Sequence, residues 1–215
     1  MINQEYNGEH KGARVLDAMK YIPPLNFSPV VSTDVSLYRS GYPMSLNYSF
    51  IKDQLHLKTI IYIGDKETPL EEYQSFLDLE RIKYHHIFMD SSRDEGIQER
   101  MNQVLNLVLD VRNYPILVHS NKGKHRVGVV VGIIRKLLQG WTTAGIYQEY
   151  GLFSGGMKDG VDLEFITMFE TNLKIPRDII PGFARRCLYL NELEGEEGSG
   201  DESGSESILT AKQSM

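Results

Sequence analysis

From Ser120 to Arg126 the chain reads Ser-Asn-Lys-Gly-Lys-His-Arg, so a hydroxyl, three cationic side chains, an imidazole and a glycine fall within seven residues. That set suits a phosphate group. Backbone N–H groups can gather around its oxygens, the ammonium groups of Lys122 and Lys124 can balance its charge, and the Arg126 guanidinium can hold two oxygens at once. Ser120 is the hydroxyl in this run that could attack phosphorus, but a serine needs a general base within hydrogen-bond reach to do so.

The flanking residues say what must position this set. Ile116 to Val118 are apolar without interruption, as in a strand covered on both faces, and from Val127 onward the apolar residues fill a helix length. The basic loop therefore lies between a strand's carboxyl end and a helix N-terminus, where the helix dipole and the unpaired amides favour an anion. Asn121, Lys122, Gly123, Lys124, His125 and Arg126 are the candidate phosphate ligands. A solvated basic turn is the plainer alternative, and the coincidence of strand, glycine and helix start weighs against it.

This arrangement resembles the protein tyrosine phosphatase loop, His-Cys followed by five residues and Arg. It is closest in pattern to the plant and fungal atypical dual-specificity phosphatases, the fungal oxidant-induced cell-cycle arrest proteins among them, with His-Cys-Asn-Lys/Arg-Gly-Lys-His-Arg-Thr-Gly. Asn26-Phe27-Ser28, Leu37 to Pro43, Leu57 to Tyr62 and Ile134 to Leu137 fall in the family's order, so the resemblance covers about Tyr21 to Phe169. It implies a dual-specificity-type phosphatase fold and activity on phosphotyrosine or on the pyrophosphate of inositol pyrophosphates; no metal or other cofactor is expected. It also implies that Arg39 sits near the phosphate pocket, a second ligand contact against the plainer reading of a surface salt bridge. The loop from Met89 to Gly96 matches the one that carries a general acid, with Asp94 as first candidate and Asp90 as second, although the family's Gly-x-Lys-Glu-Pro is absent here.

Two departures bear on catalysis. Ser120 stands where the family has its nucleophilic cysteine, and Val127 stands where a Ser or Thr hydroxyl supports the leaving sulfur. Loop amides that can ionise a thiol of pKa about 8.5 leave a far less acidic serine hydroxyl protonated. His119 precedes Ser120 on the strand and should point away from it, and His125 sits among cations, so neither is a convincing base. The expectation is a pseudophosphatase that binds a phosphorylated small molecule or phosphoprotein, alone or as a subunit beside related phosphatase-like chains. The alternative is an active cysteine phosphatase carrying a Cys-to-Ser replacement that traps its ligand.

The rest of the chain supplies the frame. Val35 to Ser40, Lys58 to Ile63 and Tyr84 to Phe88 read as strands. Thr68-Pro69-Leu70-Glu71 reads as a capping box opening a helix, and Glu99 to Asn113 shows helical spacing. Gly140 to Thr143 breaks the chain before a helix through Tyr150, and Asp159 to Glu170 is a last helix packing through Leu163, Ile166, Met168 and Phe169. Trp141 reads as a core anchor. His85 and His86 point to opposite faces of one strand, poor geometry for a metal. Strands alternating with helices imply an α/β layer fold with a mostly parallel sheet.

The 215 residues, 41% of them hydrophobic, can bury one substantial core. The expected organisation is a polar arm at 1–20, a phosphatase-like domain at 21–190 and a disordered acidic tail at 191–215, where Ser199 and Ser203 each precede a glutamate by three residues. The net charge of −6 disfavours nucleic acid and anionic lipid as partners. With no signal-like or membrane-spanning run and a single cysteine, Cys187, a reducing cytoplasmic setting is expected.

Overall fold

In the computed structural model, the described residues are 21–66, 68–156 and 160–184. The expected arm at 1–20, the tail at 191–215 with Ser199 and Ser203, the domain end at 190, Cys187 and Asp159 lie outside them.

Five strands form one sheet: β1 Ser28–Ser32, β2 Ser36–Ser40, β3 Thr59–Gly64, β4 Lys83–Phe88 and β5 Ile116–His119. Their order is β1-β2-β5-β3-β4, with β1 antiparallel to β2 and every other pair parallel. The mostly parallel α/β sheet is thus as expected. β1 is a strand that the sequence reading passed over; it tolerates Pro29 because it lies on the sheet edge, where the register shifts between Pro29 and Val31.

Because β5 is central, both its faces are covered. Leu117 joins Ile60 and the aromatic cluster of Tyr73 and Phe76 on one side, while Ile116 and Val118 join Ile61 and Ile63 on the other. The first side is roofed by α1, Glu71–Leu79, and by an irregular helical stretch at 45–55 that the sequence reading passed over. The second is roofed by α2 Ile97–Val108, α3 His125–Gln139, α4 Thr143–Ser154 and α5 Gly160–Met168.

Several local expectations need correction. Thr68 does not cap α1. Leu70 occupies the cap position, and its N–H donates to the Tyr42 hydroxyl at 3.1 Å, so a residue from beside β2 sets the helix start. Met168 is exposed, whereas Leu163, Ile166 and Phe169 are buried as expected. Trp141 is no core anchor: it is 41% exposed and lies 4.1 Å under the Arg135 guanidinium, itself bound to both Glu149 oxygens at 2.9 and 2.7 Å and to the Val30 carbonyl. Before α4, Gly140 turns left-handed and the Thr142 hydroxyl accepts the Gly145 N–H, the break and cap that Gly-Trp-Thr-Thr implies. Among the described residues no helix is long and apolar enough to cross a membrane.

Candidate phosphate-binding site

The loop at 120–124 leaves the central strand and runs into α3. Its carbonyls are held from outside: the Tyr42 N–H donates to the Asn121 carbonyl at 3.2 Å, Asn26 Nδ2 to that of Lys122 at 2.8 Å, and Arg39 Nη2 to that of Gly123 at 3.1 Å. In a trans peptide the next N–H points the opposite way. Turning these three carbonyls outward therefore turns the amides of Lys122, Gly123 and Lys124 inward, and the Gly123 N–H indeed donates to the Ser120 Oγ at 3.2 Å. The first turn of α3 adds its own amides, with no side-chain cap at Lys124 and no acidic residue to neutralise the dipole. The result is a concave set of donors whose natural complement is a tetrahedral oxyanion.

Gly123 is required for this shape. Its φ of +70° is left-handed, and a Cβ there would lie 2.4 Å from the Gly41 nitrogen. Arg39 is a correction to the sequence reading. At 1% exposure it can neither touch a ligand nor form a surface salt bridge. It holds the loop from beneath, with its guanidinium 3.7 Å from the Phe153 ring, and burial pulls its pKa down to about 10.

Ser120 is buried, and its N–H donates to the Ser40 carbonyl at 3.3 Å. The two candidate bases are engaged elsewhere. His119 is fully buried, with Nε2 3.2 Å from the Tyr73 hydroxyl and the Tyr62 ring stacked at 5.1 Å, and burial, opposed by the Ser120 backbone, pulls its pKa down to about 3. His125 Nδ1 lies 3.0 Å from the Tyr150 hydroxyl.

Arg126 reaches a partner that the sequence did not suggest. Its Nη1 lies 2.5 Å from Asp65 Oδ1, which also accepts Asn121 Nδ2 at 3.1 Å, and the Tyr62 hydroxyl donates to Asn121 Oδ1 at 2.6 Å. Hydrogen bonding from Arg126 holds the Asp65 carboxyl below its ordinary pKa. Asp65 follows β3, the parallel neighbour of β5, so strand order alone brings it beside the loop. Beside Arg126 opens a cleft of about 540 Å³, lined by Met89 to Arg93 on one wall, His125 and Arg126 on another, and Val161 and Asp162 on the third.

The two general-acid candidates part here. Asp90 is exposed and lines the cleft. Asp94 does not: its Oδ2 accepts the N–H groups of Asp90 and Ser91 at 2.8 and 3.2 Å, closing its own turn, with Arg100 3.8 Å away. The cleft's other carboxylate, Asp162 on α5, was missed, as were Ser92 and Tyr150, whose hydroxyls it holds. These residues lie far apart in the chain and share no motif spacing.

Comparison with known proteins agrees with this fold. The chain is 91% identical over 195 residues to the tyrosine-protein phosphatase-like protein OCA2 of Saccharomyces cerevisiae, covering 91% of this chain and 99% of that protein. It is 36% identical over 154 residues to the inositol diphosphatase DSP2 of Oryza sativa, across 70% and 72% of the two chains. The crystal structure of the core catalytic domain of the PP-IP phosphatase SIW14 from S. cerevisiae in complex with citrate superposes with a TM-score of 0.62 at 37% identity, covering 70% of this chain and 88% of that one. With the tyrosine phosphatase family matched across residues 21–185, a span that holds the whole sheet and the loop at 120–124, the chain belongs to that family.

Proposed function

We propose that this protein is a pseudophosphatase that binds a phosphorylated ligand on the loop Ser120 to Arg126 without turning it over at an enzyme's rate. The observation that carries this reading is the contrast inside one site. The loop keeps the residue types that suit phosphate, and its outward-held carbonyls support inward amides, while the Nε2 of His119 meets Tyr73 and the Nδ1 of His125 meets Tyr150, so neither serves Ser120 as a base. A protonated serine hydroxyl is a poor nucleophile without a base. A covalent phosphoserine would in addition lack the good leaving group that a cysteine sulfur provides.

Relatives named as inositol diphosphatases make an inositol pyrophosphate the leading ligand class, with a phosphoprotein second. Lys122, Lys124, Arg126 and, at the cleft, Arg93 favour the more highly charged ligand. Related phosphatase-like chains are the proposed partners. The test is calorimetric titration of the full chain with inorganic phosphate, phosphotyrosine and an inositol pyrophosphate, beside an aryl phosphate hydrolysis assay. Binding strongest for the inositol pyrophosphate, with hydrolysis far below about 1 per second, is expected. Turnover in the ordinary enzyme range that Ser120→Ala abolishes would overturn the pseudophosphatase reading, and no binding of any of the three at millimolar concentration would overturn the ligand role.

A further inference from the structure

Four segments that are distant in sequence meet behind the cleft. Asp162 Oδ1 accepts the Ser92 hydroxyl at 2.5 Å, Asp162 Oδ2 accepts the Tyr150 hydroxyl, and the Tyr150 oxygen lies 3.0 Å from His125 Nδ1. Ser92 comes from the loop after β4, Asp162 from α5, Tyr150 from α4 and His125 from the first turn of α3. Tyr150 is 3% exposed and Asp162 9%, so water competes little for these bonds. His125, whose side chain is 44% exposed, is the end of the chain that reaches the cleft.

We propose that Asp162 and Tyr150 are positioning residues that hold His125 with its proton on Nδ1, fixing how this imidazole meets a phosphoryl group on the loop. The inference rests on the phosphate-binding reading above.

It follows from counting protons. As a carboxylate Asp162 can only accept, so the single Tyr150 hydroxyl proton goes to Asp162. The Tyr150 oxygen is then left as an acceptor, and the group facing it must donate. That makes His125 Nδ1 the protonated nitrogen and leaves Nε2 as the one whose proton occupancy sets the ring's charge. The same geometry serves both charge states, because Nδ1–H donates in each and Asp162 Oδ2, 3.9 Å from Nδ1, balances the imidazolium. The backbone has made room for the relay: a Cβ at Gly128, one turn beyond His125, would come within 3.0 Å of the Tyr150 ring. Ser92 fixes the far oxygen of Asp162, which ties the relay to the cleft wall that carries Asp90 and Arg93. These two, with Arg126 on the ring's own helix, are the other charged groups lining the cleft beside His125.

A neutral imidazole left to itself prefers its proton on Nε2, so the relay has a spectroscopic signature. In ¹⁵N-resolved NMR of the full chain at alkaline pH, His125 is expected to show the Nδ1-protonated pattern. Tyr150→Phe, which keeps the ring in the Gly128 recess, should return it toward Nε2–H. In calorimetric titration with inorganic phosphate, Tyr150→Phe should weaken binding about three- to tenfold, the scale of one net hydrogen bond, and should cost nothing further in a His125→Ala background. Asp162→Asn should repeat the pattern, and Tyr150→Phe carries the test alone if that variant does not fold. A neutral His125 protonated on Nε2 in the unaltered protein would overturn the relay. So would an affinity loss of equal size with and without the His125 imidazole, since Tyr150 would then act through the fold. If the unaltered protein binds no phosphate, the ligand role fails, while the tautomer measurement still decides the relay.

Discussion

Replacing Arg126 by alanine should cost the proposed phosphate site most of its affinity, even though the structure shows that guanidinium already in contact with Asp65. The outcome depends on which partner is worth more. Asp65 takes one of five guanidinium N–H donors, through Nη1 at 2.5 Å, and its side chain is 44% exposed. An ion pair this open to water is worth at most about 1 kcal/mol, whereas a hydrogen bond from a charged group to phosphate is worth about 1.5 to 3 kcal/mol. The phosphate therefore wins the arginine, or shares it through the remaining donors. Arg126→Ala should weaken binding by about 10- to 150-fold. Asp65→Asn removes a negative charge beside the same mouth and should tighten binding by up to about fivefold, on the same ion-pair scale. The assay is calorimetric titration with inorganic phosphate and an inositol pyrophosphate at two salt concentrations, with the weaker binding expected at higher salt. Urea unfolding runs beside it, and the loss of an exposed pair should move stability by less than about 1 kcal/mol. Undiminished affinity in Arg126→Ala would refute the reasoning, and the arginine would then be a surface brace for Asp65 and Asn121.

Ser120→Cys should bring back measurable aryl phosphate hydrolysis, and adding Val127→Thr should raise it further; equal rates for the single and double variants would show that Val127 does not limit the second step. Gly123→Ala should destabilise the fold by about 2 kcal/mol or more, from the left-handed φ and the clash with the Gly41 backbone, and should abolish phosphate binding; unchanged urea unfolding would show that the loop can re-form. His119 gives a pH prediction. Its folded pKa of about 3 lies below the ordinary value near 6.5 because the neutral ring is buried. The unfolded chain thus binds the extra proton first, and the stability His119 contributes is complete above about pH 6.5 and falls by about 1.4 kcal/mol per unit as the pH drops toward 3. Urea unfolding at pH 7, 6 and 5 should show that slope reduced by one proton in His119→Asn; identical slopes would refute it.

The loop was legible in the sequence because everything it needs is local. Three apolar residues make a strand, a glycine makes the turn, apolar residues from Val127 make the helix, and the cations fall between them. The mostly parallel layer fold was legible for the same reason, since hydrophobic period and turn residues act over a few positions. What surrounds the loop was not. Asn26, Tyr42 and Arg39 turn its carbonyls outward because β2 pairs with β5. Asp65 meets Arg126 because β3 lies on the other side of β5, and Arg39 is a loop support because its strand is covered. Asp90 and Asp94 look alike as letters, yet one lines the cleft and the other closes its own turn. The relay from Ser92 through Asp162 and Tyr150 to His125 draws on four segments spread over 71 positions. Local spacing fixes which groups a segment can offer. Which groups face each other depends on strand order and on how helices pack across the sheet, and these are set by burial summed over the whole chain.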